Sequence, residues 1–281
     1  MQTDILTYLS ENRHTFSRGQ KKIADYILKN FDKAAFLTAG KLAGITEISE
    51  STVVRFAADL GYSGYPAMRE ALQDVFRSRQ TSIQRAEIAN EILREEEDAL
   101  TAVLNTDIAN LRLTLDSIDR EAFKNAVGQI ASAERVYIMG LRTSATLASF
   151  LGFYLDMLLE NVKLVHEYDE VTMTRFRPTD VFIGISFPRY SRRTVEAIHT
   201  ARNKGASVIA ITDTNTSPIA KAANYNIFAK SRMVSFADSM VAALSVINAL
   251  IAAVGIAGKA RLAERLEELE QLWLDHDIYE V

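Results

Sequence analysis

A chain of 281 residues, 48% hydrophobic and 24% charged, has the length for two modest domains and the composition of an ordinary globular protein, which argues against disorder. Its 32 Lys and Arg against 36 Asp and Glu leave a net charge of −4, and the absence of cysteine excludes a disulfide framework, thiolate metal sites and cysteine nucleophiles, as suits a cytoplasmic protein. The four histidines, His14, His166, His199 and His276, show no metal-ligand spacing, so neither a metal nor a cofactor is expected.

The N-terminus, MQTDILTYLSENRH, has no basic region followed by an apolar core and does not read as a signal peptide. A first helix is predicted over Arg18 to Asn30, with Ile23, Ala24, Ile27, Leu28 and Phe31 as its apolar face. Thr38 to Tyr65 then reads as two short helices with a tight turn between them. Thr38 can cap the first, Leu42 and Ala43 pack it, and Ile45 and Ile48 bracket the turn. The second starts at Ser49 and stops before Gly61, with Val53, Phe56, Ala57 and Leu60 at i, i+3, i+4 and i+7 as a core stripe. Its other face carries Ser49, Glu50, Ser51, Thr52 and Arg55, small polar groups and one guanidinium at the end where a recognition helix meets base edges and phosphates. Two readings fit the pattern, a DNA-binding helix-turn-helix and a purely structural helical hairpin. Charge does not separate them, because residues 1–79 hold 11 Lys or Arg against 9 Asp or Glu.

Pro66 starts a further helix through Met68 to Phe76. From Ala67 to Val127 there is no Gly or Pro, although the stretch carries the acidic run Glu95-Glu96-Glu97-Asp98, so a helical connection able to transmit movement is expected. From residue 134 the texture changes to β-rich runs alternating with helical ones: Arg135–Met139 ending at Gly140, Val162–His166, Val181–Ser186, Ser207–Ile211 and Asn226–Ala229. This spacing predicts right-handed βαβ units and a parallel sheet, with ligands beyond the carboxyl ends of its strands.

Two strand ends are chemically loaded. The first supplies Arg142, Thr143 and Ser144 after Gly140, and the third supplies Ser186, Arg189, Ser191 and Thr194, each before a helix. Hydroxyls and guanidinium groups at helix N-termini form an anion site, because free N–H groups and the helix dipole already point there. The plain alternative makes Ser144, Ser191 and Thr194 caps and the arginines solvated surface. Met240 to Ala257 has membrane-spanning length but is rich in alanine and glycine and lacks a basic N-terminal flank, so a helix buried between the sheet and a partner subunit is expected, and no membrane association. In the tail, Leu262, Leu266, Leu269 and Trp273 are spaced by four, three and four among glutamates, a stripe for packing either on its own domain or on a second subunit.

At these residues the chain resembles the RpiR family of bacterial transcriptional regulators, an N-terminal helix-turn-helix domain joined to a C-terminal sugar isomerase (SIS) domain. The resemblance runs nearly the full length and is most specific at Lys21–Ile27, Ser51–Phe56 with Leu60–Tyr65, and Thr194–Ala197 leading to Gly205-Ala206 and Val208–Asp213. It implies an all-α DNA-binding domain at 1–79, a helical connector at 80–119, an α/β SIS domain with a five-stranded parallel sheet at 120–258 and an amphipathic helix at 259–281. It also implies a regulator that senses a phosphorylated sugar without chemistry, works on double-stranded operator DNA and forms a homodimer or homotetramer. The loops depart from the family pattern. S-x-S-G-x-T becomes Ser186-Phe187-Pro188-Arg189-Tyr190-Ser191, and G-x-G-x-S becomes Gly140-Leu141-Arg142-Thr143-Ser144, so an arginine replaces a glycine in each. Arg142 and Arg189 either add charge-assisted contacts or fill part of the pocket, which leaves room for a smaller or more acidic metabolite. The competing reading is a sugar-phosphate isomerase with Glu196 as base, although a glutamate in a first helical turn also serves the helix dipole.

Overall fold

The computed structural model describes residues 5–87, 98–233 and 237–279, which fall into two compact units, Met1–Thr81 and Ser82–Val281. The first unit is all helix: α1 (Ile5–Glu11), α2 (Arg18–Lys29), α3 (Phe31–Ala34), α4 (Ala39–Thr46), α5 (Glu50–Asp59) and α6 (Tyr65–Arg79). Local chemistry sets the starts. Ser17 and Gln20 form a capping box at α2, Thr38 accepts from the Lys41 N–H, and Ser49 accepts from the Thr52 N–H. The stop of α5 is equally local, since Gly61 at φ 88° lets the Tyr62 N–H return to the Ala57 carbonyl. Leu9, Ile23, Ile27, Leu42, Val53, Phe56, Met68 and Leu72 close one core. Two helices join the expected set: α1, which buries Ile5, Leu6 and Leu9, and the single turn α3.

After α6 the backbone at Gln80 is extended, residues 82–87 are helical again, and α7 (Ala99–Ser117) begins at Asp98, whose carboxylate caps the Thr101 N–H. Glu95, Glu96 and Glu97 of the acidic run lie outside the described residues. The second unit continues with α8 (Arg120–Ser132), β1 (Arg135–Gly140), α9 (Ser144–Leu158), β2 (Val162–Leu164), α10 (Glu170–Thr174), β3 (Asp180–Ile185), α11 (Arg192–Asn203), β4 (Ser207–Thr212), β5 (Tyr225–Phe228), α12 (Val241–Ala257) and α13 (Lys259–Asp275).

The five strands form one parallel sheet in the order β2-β1-β3-β4-β5, with Val136 opposite both Val162 and Val181, and Ile209 opposite Tyr225. Period-two alternation divides its side chains between two cores. Ile138, Ile183 and Ile209 meet Ile130 of α8, Leu151 of α9 and Ile247 of α12, whereas Tyr137, Phe182 and Val208 meet Ala197, Ile198 and Ala201 of α11. The long apolar helix is thus in the core, where each fully buried Ile or Leu contributes roughly 1.5–3 kcal/mol. No helix among the described residues is long and apolar enough to cross a membrane. The tail helix α13 lies against α9 and α12, with Leu262 of its stripe beside Gly255, while Leu266, Leu269 and Trp273 stay half-buried.

Candidate functional site

In the first unit, α4 and α5 flank a turn in which Glu47 takes the left-handed conformation at φ 54°. The hydroxyl of Ser49 lies 2.9 Å from that of Ser51 and 2.8 Å from that of Thr52, so three hydroxyls cluster at the N-terminus of α5. Ser49, Glu50, Ser51 and Arg55 are exposed; Thr52 is half-buried, its methyl group facing Gly19 at the start of α2. Arg55 makes no hydrogen bond or ion pair among the described residues, which leaves all five of its donors for a ligand. The outward stripe also includes Val54, 43% exposed beside Arg55, an apolar group of the kind that reads a thymine methyl. Sequence reasoning missed it, because a valine in an amphipathic helix is normally assigned to the core.

In the second unit, β1 and β3 are neighbours while their onward connections lead to opposite sides of the sheet. The region beyond their carboxyl ends is therefore the topological switch point, where ligands of such sheets sit. The loops holding Arg142 to Ser144 and Ser186 to Thr194 border it. Gly140 permits the tight first turn, since a Cβ there would lie 2.3 Å from the Ser144 carbonyl oxygen at the start of α9. Arg142 and Arg189 have φ of 59° and 68°. Both arginines thus hold the left-handed backbone that the glycines of the family pattern would take freely, a conformation that costs a non-glycine residue roughly 1–3 kcal/mol.

The hydroxyls of the third-strand loop are organised from within. Ser186 Oγ accepts the Ser191 N–H at 3.0 Å, and Ser191 Oγ accepts the Thr194 N–H at 3.3 Å as the cap of α11. Thr194 is fully buried and its Oγ1 has no hydrogen-bond partner among the described residues. In the first-strand loop Ser144 is buried, Thr143 and Arg142 are exposed, and neither side chain makes a hydrogen bond among the described residues. Arg189 also makes a contact that spacing did not reveal, its Nη1 donating to the Ser82 Oγ at 2.8 Å. Glu196 faces Arg192 at 3.3 Å and Arg193 at 3.1 Å on its own helix, the arrangement of a surface ion pair.

The fold adds groups that spacing did not reveal. Tyr190 donates its hydroxyl proton to Asp213 Oδ1 at 2.8 Å, at the carboxyl end of β4. Arg85 Nη1 donates to Asp238 Oδ1 at 2.8 Å. Burial pushes the Asp238 carboxyl above the usual aspartate range, against the opposing pull of Arg85 and Arg189. Asp107, Asn110 and Thr114 of α7 hold the segment after β5: Asn110 exchanges two hydrogen bonds with the Arg232 backbone, Thr114 accepts the Lys230 N–H, and Asp107 accepts from Ser239.

Residues 3–79 match the helix-turn-helix domain of the rpiR family, and residues 129–253 match the SIS domain. The sugar isomerase domain of an RpiR transcription factor from Sphaerobacter thermophilus is 33% identical, covering 62% of this chain and 98% of that one with a TM-score of 0.59. The HTH-type transcriptional regulator HexR of Pseudomonas aeruginosa is 28% identical over 78% of this chain and 76% of its own length. The Vibrio vulnificus NanR protein, in a complex with ManNAc-6P, shares the fold over 96% of this chain and 98% of its own at 23% identity and a TM-score of 0.61.

Proposed function

The chain belongs to the RpiR family of transcriptional regulators, and on that premise we propose that an anionic metabolite, a sugar phosphate above all, binds its SIS domain and modulates its hold on operator DNA. In this reading α5 enters the major groove of double-stranded DNA through Ser49, Glu50, Ser51, Thr52 and Arg55, and a homodimer or homotetramer presents two such helices to a palindromic site. The observation that supports the effector reading is the adjacency of β1 and β3, whose following loops each carry a left-handed arginine and lead into a helix N-terminus. The helix dipoles, hydroxyls of Thr143, Ser144, Ser186, Ser191 and Thr194, and the guanidinium groups of Arg142 and Arg189 suit a phosphate, which accepts up to three charge-assisted contacts. The NanR structure, which shares this fold, holds a sugar phosphate and supports testing that class first.

The protein binds its effector without converting it. Glu196 is occupied by two arginines of its own helix, which leaves the isomerase reading without a free base at that position. A thermal-shift screen of the full chain against phosphorylated sugars and carboxylated metabolites tests the proposal, since a ligand at 100 times its dissociation constant stabilises a fold by about 2.7 kcal/mol. A hit that Ser191→Ala abolishes and that weakens or strengthens operator binding is expected. Steady isomerisation of the hit, or equal operator affinity with and without it, would overturn the regulatory reading.

A further inference from the structure

Residues 82–87 immediately follow the last residue of the first unit, yet two of their side chains bond to the carboxyl end of the sheet in the second. Ser82 and Ile83 are exposed, the latter at 72%, while Arg85 turns inward. Two side-chain bonds tie the segment to loops at the carboxyl end of the sheet. Arg85 pairs with Asp238 after β5, and Ser82 accepts from Arg189 after β3. The two anchors differ in kind: Arg85–Asp238 is a buried ion pair, whereas Arg189–Ser82 joins a guanidinium to a neutral, solvent-exposed hydroxyl.

We propose that residues 82–87 form a third wall of the effector site and that the effector's anionic group displaces Ser82 from Arg189, loosening this segment just after the DNA-reading unit in the chain. This rests on the effector reading above and adds its route of transmission. The exchange is favoured because an anion adds charge–charge attraction and bidentate geometry that a neutral hydroxyl cannot offer a guanidinium. Ser82 loses little by it, since an exposed hydroxyl rebonds to water. The Arg85–Asp238 pair has no such substitute and stays, so the segment is freed at its start and held at its middle. A ligand can shift such an equilibrium only by its different affinity for the two arrangements, and Arg189 supplies that difference.

Hydrogen exchange on the full-length protein, with inorganic phosphate as probe, tests the exchange directly. Phosphate is expected to slow the amides of residues 141–145 and 189–194 and to speed those of 82–87 several-fold. Ser82→Ala, an exposed change that leaves the core intact, should speed 82–87 without phosphate and tighten phosphate binding roughly two- to tenfold, the worth of the released bond. Protection of the two loops with no change at 82–87, or unaltered phosphate affinity in Ser82→Ala, overturns the displacement while the effector reading stands. Phosphate that protects neither loop overturns both.

Discussion

Arg85 and Asp238 lie 153 residues apart in the chain and meet at 2.8 Å with 4% and 11% of their side chains exposed. Two charges taken from water recover much of their desolvation cost through each other, so removing one partner is worse than removing both. Asp238→Ala should destabilise the second unit by about 3–5 kcal/mol, whereas Arg85→Met with Asp238→Leu should be close to neutral. Urea denaturation of the three proteins checks this; equal losses in the single and double variants would contradict it.

The same carboxyl gives a pH dependence of definite sign. Burial holds the Asp238 pKa above its unfolded value, so between those two values the folded protein binds the extra proton. Stability should therefore be fullest below the unfolded value and decline as pH rises through the raised folded value. Denaturant midpoints followed upward in pH from below the ordinary aspartate value should show this decline in the native chain and lose it in the Arg85→Met, Asp238→Leu variant.

The left-handed arginines separate backbone strain from ligand contact. Arg142→Gly and Arg189→Gly should each raise stability, by up to about 1 kcal/mol after the greater freedom of glycine in the unfolded chain is deducted. If the guanidinium groups hold the effector anion, calorimetry should show weaker phosphate binding in the same variants. Stability gained with binding retained would make the side chains bystanders.

Gly140→Ala tests the turn beneath the first loop. A methyl group 2.3 Å from the Ser144 carbonyl must push the start of α9 away from β1, at a cost of roughly 1–3 kcal/mol, and phosphate binding should fall with it. Native stability together with native binding would show that the turn tolerates a side chain.

On the DNA side, Arg55→Ala should weaken operator binding without unfolding, because Arg55 is exposed and makes no bond among the described residues. A base contact would cost roughly 1–3 kcal/mol of discrimination at one position; a phosphate contact would lower affinity evenly across sequences and flatten the salt dependence. Unchanged affinity in the Thr52→Ala, Arg55→Ala double variant would remove α5 from this role.

What could be read from the sequence was what local chemistry determines. The caps at Thr38 and Ser49, the stop at Gly61 and the runs of β1, β3 and β4 each depend on neighbours a few residues away, and all appear in the structure. The β2 run was expected to reach His166 but ends at Leu164, because an edge strand has a single ladder to hold it; the Val165 N–H still reaches the Ile138 carbonyl before the chain turns off. The helix α1 escaped notice because its seven residues show less than two turns of periodicity, and its burial comes from a core assembled elsewhere. The Arg189–Ser82 and Arg85–Asp238 contacts span 107 and 153 residues, and no spacing rule connects groups so distant. The glycine-to-arginine changes were visible as letters, but only the φ angles show that the loops kept a glycine conformation around them.

The outer strands of the sheet are its shortest, three residues in β2 and four in β5 against six in each of β1, β3 and β4. An open sheet leaves unpaired N–H and C=O groups along both margins, and a long margin invites another chain to add a strand. Here the margins can offer an intruder only a few bonds, too few to offset the entropy of holding it. The brevity of two strands thus guards the sheet against indiscriminate edge-to-edge polymerisation.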